Sequence, residues 1–91
     1  MKNIKIEKAN AQWSDIHFAT NLVSEVSRYS CNVILKSISE NNINQQVDLK
    51  SILGTTALMS NNSNYLEIEL SGENEDLEYV MLLTFLEKYP N

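Results

Sequence analysis

Glycine, proline, cysteine and histidine are all scarce in this chain, and each shortage removes a class of protein. Two glycines and one proline in 91 residues are too few for a disordered or loop-dominated chain. The single cysteine, Cys31, permits no internal disulfide, which fits a reducing compartment. One histidine, His17, with no Cys or Asp cluster to join it, gives no metal site. Seven basic residues against twelve acidic ones leave a net charge of −5. The basic residues are scattered, so a phosphate backbone would be repelled and nucleic acid is not expected as a partner. No apolar run is long enough to span a bilayer, and the first residues, Met1-Lys2-Asn3-Ile4-Lys5-Ile6, lack the apolar core of a signal peptide. These absences point to a cytoplasmic protein without membrane contact. Small-molecule catalysis also lacks its parts: there is no glycine-rich phosphate loop and no paired-carboxylate signature, so neither an enzyme nor a bound cofactor is expected.

What remains is an ordinary globular composition, 43 % hydrophobic, in a length that forms one domain over residues 1–91. A chain of this size buries only about 60–65 % of its unfolded surface. Little volume is left for an internal cavity beside the core, which favours function at the surface.

Periodicity orders the elements. Ile4 and Ile6 alternate with Lys5 and Glu7, a half-buried strand. Ile16, Ala19, Val23 and Val26, with Leu22 beside them and Tyr29 one turn on, form the apolar stripe of a helix. Ser14 or Asp15 is placed to cap it, a contribution of about 1 kcal/mol. Cys31 to Leu35 reads as a strand, residues 37–46 as a long polar hairpin loop, and Gln45-Val47-Leu49 as a poorer strand. Ser51 opens a short helical turn carrying Ile52, Leu53, Thr56 and Ala57 before the Asn61-Asn62-Ser63-Asn64 break. Leu66, Ile68 and Leu70 face one way along a clear strand, and Glu67 and Glu69 the other. Gly72 turns the chain. Asn74 can cap a last helix whose expected buried stripe is Leu77, Val80, Met81, Phe85 and Tyr89, widened by Leu82 and Leu86. The order β-α-β-β-α-β-α predicts an α+β fold: a two-layer, open-faced sandwich. Its four-stranded antiparallel sheet is covered on one face by the two longer helices.

Three strings in this order resemble the histidine-containing phosphocarrier protein (HPr) family of the bacterial phosphotransferase system. Ala19-Thr20-Asn21-Leu22-Val23 resembles the family's Ala-Ser/Thr-x-Leu/Phe-Val in the first helix. Val47-Asp48-Leu49-Lys50-Ser51-Ile52-Leu53-Gly54 is similar to Val-Asn-Leu/Ala-Lys-Ser-Ile/Leu-Met/Leu-Gly around the family's regulatory serine, and is the most specific match. Leu70-Ser71-Gly72-Glu73-Asn74-Glu75-Asp76 looks like the family's Ala-x-Gly-x-Asp-Glu-x. The family's defining Gly-Leu/Ile-His-Ala/Thr-Arg-Pro-Ala, whose histidine carries the phosphoryl group, is matched poorly. Without gaps from Ala19, Asp15 falls on that histidine, His17 on the arginine and Phe18 on the proline. Matching Ile16-His17 to the family's Leu-His instead requires deleting two residues, which turns everything beyond by roughly 200°. Helix geometry favours the first alignment.

The resemblance implies a regulatory HPr-like protein whose degraded active-site positions are Asp15, His17 and Phe18, with phosphorylation at Ser51 by an HPr kinase. Ile52, Leu53 and Thr56 then form a partner-binding patch, with enzyme I or a transcriptional regulator as further partners. Two alternatives stand beside it: a working carrier that accepts a phosphoryl group on His17, and an interaction module with no phosphorylation. Each residue also has a plainer role. Asp15 and Ser51 can simply cap helices, His17 can be an exposed helix residue, and Cys31 can be packing. Trp13 packs over the helix end or anchors a partner.

Overall fold

Apolar residues at every second position pair the four strands into one sheet whose inner side is continuous. The structure is a computed structural model and describes residues 1–7, 15–39, 42–59 and 65–88. The chain runs β1 (Lys2–Glu7), α1 (Ile16–Val26), β2 (Asn32–Ser39), β3 (Asn42–Asp48), α2 (Ile52–Met59), β4 (Tyr65–Ser71) and α3 (Glu75–Glu87). Sheet order is β1-β4-β2-β3 and every neighbouring pair is antiparallel. Ile4 lies opposite Ile68, Ile68 opposite Leu35, and Leu35 opposite Val47, so one apolar row crosses all four strands. On the outer side Lys5 opposes Glu67, which opposes Lys36. There the Lys36 Nζ reaches Glu69 at 2.6 Å, both side chains being largely covered. Alternation of side chains along a strand therefore sorts the sheet into an apolar face and a charged one.

The apolar face carries the helices. Leu22 and Val26 of α1, Leu58 and Met59 of α2, and Leu82 and Phe85 of α3 join Leu35, Leu66, Ile68 and Leu70 in one core. α2 packs on β3 and β2, α3 on β4 and β1, and α1 touches both helices. Three helices rather than two thus cover the sheet.

Several sequence expectations are corrected. Residues 37–39 continue β2 and 42–46 belong to β3, so the expected loop over 37–46 is mostly paired strand, with a register shift at Ser37/Ile38. Polar residues are tolerated there because β3 is an edge strand. Leu49 follows β3 instead of ending it, and is fully buried. In α1 the buried face is Phe18, Ala19, Leu22 and Val26, whereas Ile16 is 60 % exposed. In α3 it is Glu78, Leu82 and Phe85, whereas Leu77 and Val80 are 64 % and 57 % exposed. The α3 error is a rotation of the helix, because an acid occupies the inward position that an apolar count skips. Asn74 precedes α3 but gives no side-chain cap; its Nδ2 donates to Ser30 Oγ at 3.1 Å. Ser14, Trp13, Tyr89 and the break at 61–64 lie outside the described residues.

Gly72 is required where it stands. Its φ is +157°, and a Cβ there would lie 3.2 Å from both Cα and Sγ of Cys31. Backbone strain and contact with an immobile main chain act together. Gly72→Ala is expected to cost about 2 kcal/mol. In urea unfolding this appears as a lower midpoint with an unchanged slope.

Candidate functional site

The first turn of α1 is built around Asp15. This residue is extended (φ −93°, ψ 123°), its carbonyl accepts Ala19 N–H at 3.1 Å, and its carboxylate accepts His17 N–H at 2.9 Å. One of the helix's free donors is thereby satisfied by a carboxylate, at the end where the helix dipole favours negative charge. Asp15, Ile16 and His17 are exposed. Phe18 points the other way, 2 % exposed, its ring stacked on Phe85 of α3 with centroids 6.4 Å apart. The one arginine in the sequence, Arg28, is at the far end of α1 and pairs with Glu25. No guanidinium therefore stands in this first turn.

The start of α2 has a similar design with a hydroxyl in place of the carboxylate. Asp48 turns the chain: its carbonyl accepts Ser51 N–H and its carboxylate accepts Lys50 N–H, each at 2.9 Å. Ser51 then caps α2, its Oγ accepting Gly54 N–H at 3.3 Å and its carbonyl accepting Thr55 N–H at 2.9 Å. Thr55 Oγ1 donates back to Leu49 O at 3.3 Å. Gly54 lets the helix lie close to β3, since a Cβ there would meet Val47 Cβ at 3.3 Å. Ser51 remains exposed, and so do Ile52 at 39 % and Leu53 at 81 %. Thr56 is half-buried, with its Oγ1 donating to Ile52 O at 2.9 Å. α1 and α2 are in contact, so the two helices that carry these first turns pack side by side.

A buried node fixes the α1–β2 turn behind them. Glu78, 7 % exposed, accepts Ser30 N–H at 2.8 Å and Cys31 N–H at 2.9 Å, with Ser30 Oγ at 3.3 Å. Burial alone would raise the Glu78 pKa, but hydrogen bonds from the Cys31 thiol and from Ser30 and Cys31 N–H outweigh it and hold the carboxyl below its usual range. Burial, then the neighbouring Glu78, pushes the Cys31 thiol up to about 11. The thiol is therefore protonated and inert, which leaves Cys31 a packing residue. Burial and the hydrogen bond to Glu25 likewise raise the Tyr29 phenol. Lys50 Nζ donates to Tyr29 O at 2.8 Å, tying the turn before Ser51 to this node.

The family model described as "PTS HPr component phosphorylation site" matches residues 4–88 of the chain. The chain belongs to the HPr family. A search of curated proteins finds no match. Among solved structures, the crystal structure of HPr-C-His from Thermoanaerobacter tengcongensis superposes with a TM-score of 0.75 at 24 % identity, covering 98 % of this chain and 94 % of that one. At that identity the likeness establishes the shared fold. Family and fold together make this a phosphocarrier-like protein of the phosphotransferase system, whose partners are proteins and whose relatives are carriers rather than catalysts.

Within this HPr-family chain, the outward turn of Ile16 was missed. Phe18, Leu22 and Val26, each four apart, were the signal that α1 turns Ile16 outward. Glu78 was missed as well; its spacing of four and then three to Leu82 and Phe85 marks it on the inward face. Among the described residues no helix is long and apolar enough to cross a membrane, and no group of three or more His, Cys, Asp or Glu could hold a metal ion.

Proposed function

We propose that this chain is a cytoplasmic, regulatory member of the HPr family that acts through protein contacts and is phosphorylated on Ser51. The observation behind the reading is the contrast between its two helix starts. At α1 the Asp15 carboxylate already takes the His17 N–H, a donor of the kind that stabilises phosphoryl oxygens. At α2 the exposed Ser51 Oγ already accepts Gly54 N–H in the first turn, so a phosphate added there stands at a helix N-terminus whose dipole favours it. Transfer from ATP forms the Oγ–P bond, breaks the bond to ADP and releases the hydroxyl proton. Ile52, Leu53 and Thr56 form the contact patch beside it. The fixed charge of Asp15 gives the α1 end a permanent anion, which biases partner choice. The fitting partners are an HPr kinase and, downstream, enzyme I or a transcriptional regulator.

Incubation with an HPr kinase, ATP and Mg²⁺, followed by intact-mass measurement, tests this. One phosphoryl group is expected on the wild type and none on Ser51→Ala. An unmodified wild type sinks the regulatory reading.

A second reading, phosphoryl transfer through His17, has one observation in its favour: the histidine is exposed in the first turn of α1. A carrier histidine requires a neutral imidazole aimed at helix N–H donors, and here Asp15 holds one of those donors. Enzyme I with phosphoenolpyruvate is expected to leave the chain without an acid-labile adduct. An adduct lost in His17→Ala establishes the carrier instead. Modification under neither condition leaves a pure interaction module.

A further inference from the structure

α3 has an outward face that packing does not use. Leu77 and Val80 are 64 % and 57 % exposed. Thr84, one turn beyond Val80, is also exposed, its Oγ1 donating to Val80 O at 2.9 Å. Spacings of three and four place the three residues in one stripe, opposite the buried Glu78, Leu82 and Phe85. Exposed Glu73 precedes the stripe, and Asp76 and Glu87 run along one side of it. α3 itself contains no basic residue; Lys88 follows its end, and Lys2 of β1 reaches Asp76 at 3.2 Å. α3 packs on β1 and β4, whereas α2 packs on β3 and β2. The stripe is thus on a different helix, over the other half of the sheet, from Ser51.

We propose that this face of α3, Leu77, Val80 and Thr84 edged by Glu73, Asp76 and Glu87, is a second docking surface for a basic amphipathic helix of another protein. Charge decides the occupant. A second copy of the chain also carries −5 and would bring acid against acid, and an anionic lipid surface is repelled for the same reason. A helix with leucines on one stripe and lysines beside it satisfies both the apolar residues and the acidic edge. The surface is independent of phosphorylation at Ser51, so both can be engaged together.

The test titrates the isotopically labelled full chain with a synthetic amphipathic peptide, leucine on one face and lysine at its flanks, and follows amide shifts by NMR. Shifts concentrated on residues 73–88 are expected. The double variant Leu77→Ser/Val80→Ser, both sites exposed, should keep the wild-type spectrum elsewhere and weaken binding by about tenfold or more. Raising the salt from 0.1 M to 1 M, which shortens the screening length from about 10 to 3 Å, should weaken it further. Shifts spread over the outer sheet face or centred on α2, or affinity unchanged in the double variant, overturn the proposal. So does concentration-dependent dimerisation that the double variant abolishes, which assigns the face to a second copy.

Discussion

Glu78→Ala should lower the melting temperature by roughly 12–24 °C, the shift that about 3 kcal/mol produces in a domain of this size. The carboxylate accepts two main-chain N–H groups, at 2.8 and 2.9 Å, from Ser30 and Cys31, and Cys31 is buried. Removing an acceptor strands its donors, and each stranded donor costs about 1–3 kcal/mol, less where water can reach it as at the exposed Ser30. Against a total stability of about 5–15 kcal/mol this is a large loss. Glu78→Gln keeps one acceptor oxygen but turns an amide NH₂ toward donors, and should lose about half as much. The two variants also differ from wild type in acid. With its folded pKa below the ordinary 4.5, Glu78 contributes stability that is fully present above the unfolded value and lost as the pH falls through the folded one. Wild type should therefore lose stability on acidification below pH 4.5 more steeply than Glu78→Gln. Thermal melts at a series of pH values measure both effects; parallel curves would show that the carboxylate carries no special role.

Phe18→Ala is expected to cost about 3–4 kcal/mol, the usual range for deleting a buried ring. Phe18 is 2 % exposed and stacks on Phe85, so its loss opens a cavity between the first turn of α1 and α3. Hydrogen exchange should report a local effect too. The first-turn amides of α1, Ala19 among them, should exchange faster relative to those of β4 than in wild type. Equal acceleration at all amides would mean that the ring supports only global stability. Phe18 is buried against Phe85, while Asp15, Ile16 and His17 beside it are exposed.

The strands and their order along the chain were legible because one-sided burial writes itself as alternation: Leu66, Ile68 and Leu70 take one face, Glu67 and Glu69 the other. The helices were legible in existence but not in rotation. In α3 a buried acid holds two N–H groups from a turn far away in sequence, and a count of apolar residues alone passes over it although its spacing to Leu82 and Phe85 is helical. In α1 the i, i+4 row of Phe18, Leu22 and Val26 sets the inward face, and Ile16 falls outside it. Edge strand β3 was read in its second half only, because the polar string that opens it resembles a loop. At the site, the caps Asp15 and Ser51 were readable from residue type, since each accepts a neighbouring N–H as an N-cap should. The tie from Lys50 to Tyr29 O was not. It depends on α1 and α2 meeting, which no local string records.

The strand order also sets a timetable for synthesis. β4 fills the slot between β1 and β2, with Lys2 paired to Leu70 and Asn32 to Ser71. Until β4 leaves the ribosome, β1 has no partner and β2 can pair only with β3, a hairpin of marginal stability by itself. The nascent chain must therefore keep the apolar strands β1 and β2 exposed until β4 has been made, and the sheet closes only then. Chains cut before Tyr65 should be clients of chaperones and proteases rather than smaller versions of the domain.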